Sequence, residues 1–90
     1  MNLASLELAP RAMRDLKRVP GDVAAAVLDD LELLRTFPWP GPPKVKPVQR
    51  TPYARLRTGS IRTVVLREER HVLVLRVVPR KDFERVLKGL

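Results

Sequence analysis

The 90-residue sequence has no cysteine, one histidine, one tryptophan, one tyrosine and two phenylalanines. Without cysteine there are no disulfides, thiolate nucleophiles or Cys-based metal sites, and none of the usual marks of a secreted mini-domain. Scarce aromatics argue against a base-stacking platform such as single-strand binders carry. No apolar run approaches the roughly 18 residues of a membrane span, and the N-terminus lacks a signal-peptide pattern. A cytoplasmic protein without membrane contact is therefore expected. Nothing in the composition calls for a metal or a cofactor.

What the chain does have is positive charge. Eighteen Lys and Arg stand against ten Asp and Glu, a net charge of +8. Residues 1–43 carry a net −1 and residues 44–90 a net +9. Such asymmetry suits a polyanion, an acidic protein partner, or both. At 44% apolar residues, the sequence has the make-up of one small folded domain over residues 1–90.

Leu6 and Leu8 alternate with Ser5 and Glu7, which predicts a short first strand. Pro10 suits the first position of a helix, and this helix is predicted to run to about Arg18 with Met13 and Leu16 inward. Pro20-Gly21 stops it. Asp22 is predicted to cap a longer helix to about Thr36. Val23, Val27, Leu31 and Leu34 form that helix's apolar stripe. Phe37–Pro43 holds four prolines and reads as a stiff connector, with Trp39 over a nearby apolar edge. Three strands follow, at Tyr53–Thr58, Ile61–Arg67 and Val72–Val78, then a last helix in 81–90. The predicted fold is α+β, ordered β-α-α-β-β-β-α, with a helical hairpin on one face of a mostly antiparallel sheet.

Side chains alternate along a strand, so Tyr53, Arg55 and Arg57 share one face. Arg62 opens the next strand across the Gly59 turn, and Arg80 lies just past the end of the third. An uncovered sheet face would gather these arginines into a basic groove. Guanidinium suits phosphate because its planar fork donates two parallel hydrogen bonds and stays charged. Arg76, in an apolar strand, is expected to pair with Asp82 or Glu84. Arg67, Arg70 and His71, near the hairpin tip, are expected at the surface.

Order and residues together resemble the RelE/ParE toxins. Leu8-Ala9-Pro10-Arg11-Ala12 with Asp15-Leu16-Lys17 resembles their opening. Lys44-Val45-Lys46 with Tyr53-Ala54-Arg55-Leu56-Arg57-Thr58-Gly59-Ser60-Ile61-Arg62 resembles their central segment. Val74-Leu75-Arg76-Val77-Val78-Pro79-Arg80-Lys81-Asp82 resembles their closing segment. The resemblance implies the toxin of a type II toxin–antitoxin pair, held silent by an antitoxin that the basic half would suit if acidic. It implies a ribosome-dependent mRNA endoribonuclease acting without a metal, or alternatively a poison of DNA gyrase. A non-toxic RNA-binding domain is a third alternative. By the same resemblance Arg62 would hold the scissile phosphate and Arg80 would stabilise the transition state, with Arg55 and Arg57 beside them as catalytic residues. Lys44, Lys46, Tyr53, Lys81 and Phe83 would contact RNA.

Cleavage through the ribose 2′-OH also needs a proton acceptor and a proton donor. Arginine cannot act as the base. Pro79 stands where the family often has His or Lys, Ile61 where it has Tyr, and Phe83 cannot donate a proton. The remaining base candidates are Lys44, Lys46, Lys81 and Glu84.

Overall fold

Alternating Val and Leu over 61–79 build the centre of the molecule. In the computed structural model, which describes residues 3–90, Ile61–Glu68 and His71–Pro79 pair as antiparallel neighbours. In chain order the elements are β1 (Ser5–Leu8), α1 (Pro10–Lys17), α2 (Gly21–Leu33), β2 (Val45–Pro47), β3 (Tyr53–Thr58), β4 (Ile61–Glu68), β5 (His71–Pro79), a 3-10 turn (Arg80–Asp82) and α3 (Phe83–Lys88). The five strands lie side by side in the order β1-β5-β4-β3-β2. Only β1 runs parallel to its neighbour, β5, because a helical hairpin separates it from the rest of the sheet.

Helices α1 and α2 cover one face. There Ala12, Val27, Leu31, Leu34, Leu56, Val65, Val72, Val74 and Val77 form the main core. The predicted α2 stripe is the one that packs: Val27, Leu31 and Leu34 are buried and Val23 rests against them. Trp39 packs against the same core and donates its indole N–H to the Leu34 carbonyl (2.8 Å), so the proline connector is pinned over the end of α2. Val64 and Val78 are buried on the opposite sheet face, which α3 partly covers with its one buried residue, Val86.

The α+β architecture is as predicted, and several local expectations need correction. A fifth strand, β2, lies at the sheet edge against β3. Its three residues end in Pro47, and a run so short and proline-flanked carries no alternation to read. Met13 is exposed; Leu16 packs against the core as expected, and the buried positions of α1 are Ala12 and Asp15. Asp22 is not the cap of α2. The helix begins one residue earlier, at Gly21, with Pro20 at the cap position, so Asp22 lies in the first turn, where its charge favours the helix dipole. Arg67 is not merely solvated: its guanidinium lies 3.4 Å over the Phe37 ring.

The largest departure is Arg76. It pairs with neither Asp82 nor Glu84 but donates from Nε (2.8 Å) and Nη2 (3.2 Å) to the two carboxylate oxygens of Asp15. Asp15 also accepts the backbone N–H of Val77 at 2.9 Å. Both side chains are largely out of solvent. The hydrogen bonds that it donates to Asp15 hold the Arg76 guanidinium charged, raising its pKa against the opposing effect of burial.

Removing one partner of such a pair leaves a buried charge and a buried backbone donor unmet. Asp15→Ala is therefore expected to cost about 3 to 5 kcal/mol. Asp82→Ala, which touches only an exposed Arg85, should stay within about 0.5 kcal/mol of the native protein. Urea unfolding of the two variants checks this; equal midpoints would remove Asp15 from its structural role.

Candidate nucleic-acid interface

The β3–β4 hairpin sets the geometry of the basic residues. Thr58 pairs with Ile61, leaving Gly59-Ser60 as a two-residue turn. Gly59 has φ 58°, the left-handed sign that the first central residue of a type II′ turn requires. This tight turn places Arg57 directly opposite Arg62 in the register. It also aims the Gly59 carbonyl at the Arg62 guanidinium, whose Nη1 donates to Gly59 O (2.7 Å) and Ile61 O (3.1 Å).

Arg62 is only 6% exposed and has no carboxylate partner among the described residues. Burial depresses its pKa, and the charges of Arg55, Arg57 and Arg80 depress it further. Those three guanidiniums thus oppose the charge of Arg62, and the register sets Arg55, Arg57 and Arg62 on the sheet face away from α1 and α2. Arg55, Arg57 and Arg80 also lack a carboxylate partner among the described residues. Arg55 donates weakly to the Pro43 carbonyl (3.3 Å), and its buried Nε has no protein acceptor. A crowded Arg62 with three cationic neighbours, together with an unmet donor on Arg55, forms a site whose electrostatics favour a polyanion.

A cleft of about 320 Å³ adjoins the cluster, lined by Lys46, Pro47, Val48, Gln49, Arg55, Phe83 and Glu84. Lys46 sits opposite Arg55 in the β2–β3 register, so the edge strand delivers it to the same face. Phe83 and Glu84 reach the cleft from the first turn of α3. A shallower cleft of about 540 Å³ is lined by Ser60, Pro79, Arg80 and Lys81. The Arg80 N–H donates to Ser60 O (2.8 Å), which ties the end of β5 to the β3–β4 turn and so brings Arg80 toward Arg62.

The arrangement gathers Arg55, Arg57, Arg62 and Arg80 and sets Lys46, Phe83 and Lys81 at their margins. Tyr53 shares the face of Arg55 but lies at the other end of β3, opposite Leu66 and outside both clefts. Lys44 belongs elsewhere. Its ammonium lies 2.6 Å from Asp30 on α2, and Thr58 donates to the same carboxylate oxygen (2.6 Å). It is a strap between α2 and the sheet, with its ammonium engaged by Asp30. His71 sits on β5 beside β1, 2.7 Å from Ser5 Oγ and 2.9 Å from Glu7 Oε1, away from the arginines. Among the described residues no three His, Asp or Glu side chains come together to hold a metal ion, and no helix is long and apolar enough to cross a membrane. In the sequence Asp15 stands out only as part of the opening motif; its spacing of three residues from Ala12 puts it on the inner face of α1, a relation that the surrounding arginines obscure.

No protein-family model and no curated protein sequence matches the chain. Solved structures do. A chain of the RelBE2 toxin–antitoxin complex from Mycobacterium tuberculosis superposes with a TM-score of 0.73 at 25% identity, covering 87% of this chain and 99% of that one. A chain of the RelB–RelE antitoxin–toxin complex from Methanococcus jannaschii gives 0.72 at 21% identity, over 89% and 96%. An arginine-substituted mutant of E. coli RelE in the free state gives 0.72 at 17% identity, over 98% of both chains. The fold is therefore the α+β fold of chains found in toxin–antitoxin complexes. Within that class the chain is RelE-like, with the RelE-like toxin fold over nearly its whole length.

Arg62 is held charged in a place that disfavours charge. Arg62→Met, similar in bulk and neutral, is expected to raise the thermal midpoint by roughly 2–5 °C. The native protein should also gain stability in sodium phosphate over sodium chloride at equal ionic strength, by binding the anion. That difference should shrink in Arg62→Met. A lowered midpoint in the variant would mean that the bonds to Gly59 and Ile61 outweigh the repulsion.

Proposed function

We propose that this protein is the toxin of a type II toxin–antitoxin pair and cleaves mRNA on the ribosome in the cytoplasm. The observation that carries this reading is the convergence of Arg55, Arg57 and Arg80 on a buried, carboxylate-free Arg62. In-line attack by a ribose 2′-OH places extra negative charge on the phosphorus oxygens. Preorganised guanidiniums stabilise that charge as it develops, without reorganising at the moment of reaction. Arg62 holds the scissile phosphate, Arg80 reaches the transition state from the end of β5, and Arg55 and Arg57 keep the local potential positive.

The proton must go elsewhere. Glu84 lines the same cleft as Arg55 and is the carboxylate placed to accept it; Lys46 is across the cleft. Phe83 offers a ring on which one base can stack. The antitoxin would be an acidic chain that covers these arginines. In the complexes from Mycobacterium tuberculosis and Methanococcus jannaschii, the similar chain is part of a toxin–antitoxin assembly.

A second reading, a poison of DNA gyrase without nuclease activity, draws on one observation. The only imidazole, His71, is engaged with Ser5 and Glu7 far from the cluster, so no histidine serves acid–base chemistry there.

Induced expression with primer extension on a well-translated mRNA separates the two. The nuclease reading expects growth arrest with new cuts inside the reading frame. Arg62→Ala and Arg80→Ala should each slow cutting by about 10²–10³. Glu84→Gln should slow it by about 10²–10⁴. Arrest without cuts, together with loss of supercoiling activity, would establish the gyrase reading instead.

A further inference from the structure

We propose that α1 carries a second phosphodiester-binding surface, formed by Arg11, Arg14 and Arg18 with Arg85 around the Arg76–Asp15 pair. This inference rests on the RNA reading above and extends it to a part of the molecule that the cleavage chemistry does not use.

Three adjoining clefts lie along this flank. One of about 210 Å³ is lined by Arg11, Arg14, Asp15, Arg18 and Arg76. A second, about 160 Å³, shares Arg11 and Arg76 and adds Arg85. A third, about 260 Å³, shares Asp15, Arg18, Arg76 and Arg85, adds Asp82, and runs along an apolar wall to Pro79. Arg11, Arg14 and Arg18 stand at i, i+3 and i+7, so the helix sets them on one face. All three are exposed, and none has a carboxylate partner among the described residues.

The one acid in the first cleft does not oppose an anion. Asp15 is neutralised by Arg76, and its oxygens are already taken by the guanidinium and the Val77 N–H. Arg85 meets Asp82 at 3.3 Å on a side chain that is 77% exposed, a pairing that water weakens and a phosphate can replace. Three uncompensated guanidiniums around a small cleft are therefore open to an incoming anion.

The lining also points to a ligand class. The first cleft has only charged side chains. An acidic protein segment generally anchors itself through a buried apolar or aromatic side chain, which this cleft cannot seat. A nucleic-acid backbone needs only forked donors at intervals.

The surface continues the first one. The third cleft and the shallow cleft of Arg80 and Lys81 both include Pro79. In the sheet register Arg62 faces Val78 and Val64 faces Arg76. Arg76 is thus one strand over and two residues along from Arg62, about 8 Å by strand geometry. A single strand covers a distance of that order within a nucleotide or two. A strand held at Arg62 and Arg80 would pass around the 3-10 turn and lie on α1.

The experiment is fluorescence anisotropy of a labelled 20-nucleotide oligouridylate against the full chain across a salt series. The triple variant Arg11→Gln, Arg14→Gln, Arg18→Gln should bind more weakly. Its log K against log salt slope should be shallower by about 2, since three single-strand contacts contribute about 0.7 each. Arg62→Ala should lose less of that slope, about 0.7. Matching thermal melts confirm that the triple variant is folded. Native affinity and slope in the triple variant would overturn the second surface while leaving the Arg62 cluster standing. Loss of poly-glutamate binding with RNA binding intact would reassign α1 to a protein partner and overturn the proposal. No RNA binding by the native chain would sink the RNA reading itself.

Discussion

Asp15 joins the layers of this molecule at one point. β1 spans four residues and β5 nine, so the far half of β5 has no strand on that side. The edge would leave the Val77 N–H without an acceptor in a nearly dry place, a cost that native folds avoid. Helix α1 starts two residues after β1 ends, which lays its inner face along that open edge. An aspartate there takes the Val77 N–H with one oxygen and grips Arg76 with both. The same contact fixes the last residues of β5, and these lead directly through Pro79 into Arg80. Placement of Arg80 beside Arg62 therefore depends on a carboxylate on the opposite side of the sheet.

Arg76 and Arg62 make an instructive pair. Both are arginines in valine-rich strands, and both are mostly hidden from water. Arg76 has Asp15 and its charge is favoured; Arg62 has two carbonyls and three cationic neighbours, and its charge is disfavoured. Two carbonyl dipoles orient a guanidinium without neutralising it, so Arg62 stays fixed and electrically unsatisfied. A site of that kind lowers stability in the free protein and gains it back when an anion binds. Removing the strain by adding an acid would weaken the attraction for phosphate in the same step.

Much of this was legible in the sequence. Period-2 alternation located β3, β4 and β5, and the i, i+4, i+8, i+11 spacing located the buried stripe of α2, because both patterns extend over enough residues to be read. Facing along β3 put Arg55 and Arg57 on the arginine side correctly. What was missed depends on partners distant in sequence. Lys44 looks like any surface cation until Asp30, on another element, is brought to 2.6 Å. Asp15 sits among arginines on an amphipathic helix, so local charge suggests solvent; only the short β1 explains why an acid is wanted inside. β2 forms because β3 offers a free edge to it, not because three residues ending in proline prefer to be a strand.

Charge in the sequence is also distributed differently from charge in space. The first 43 residues are nearly neutral overall, yet their acids and bases separate on folding. Asp22, Asp29, Asp30 and Glu32 belong to α2, which packs on β3, whereas Arg11, Arg14, Lys17 and Arg18 belong to α1 and the residue after it, beside β5. The basic groups of α1 thereby join those of the second half, while the acidic helix lies on the covered face of the sheet. Separation of this sort gives the molecule a polarity that a bare net charge does not convey. A polyanion approaching from solution is drawn to the open sheet face that carries Arg62 and Arg80 and to the exposed arginines of α1 at the β5 edge, and repelled from the acids of α2. Positive potential spread over more than one cleft favours a chain of phosphates over a single one.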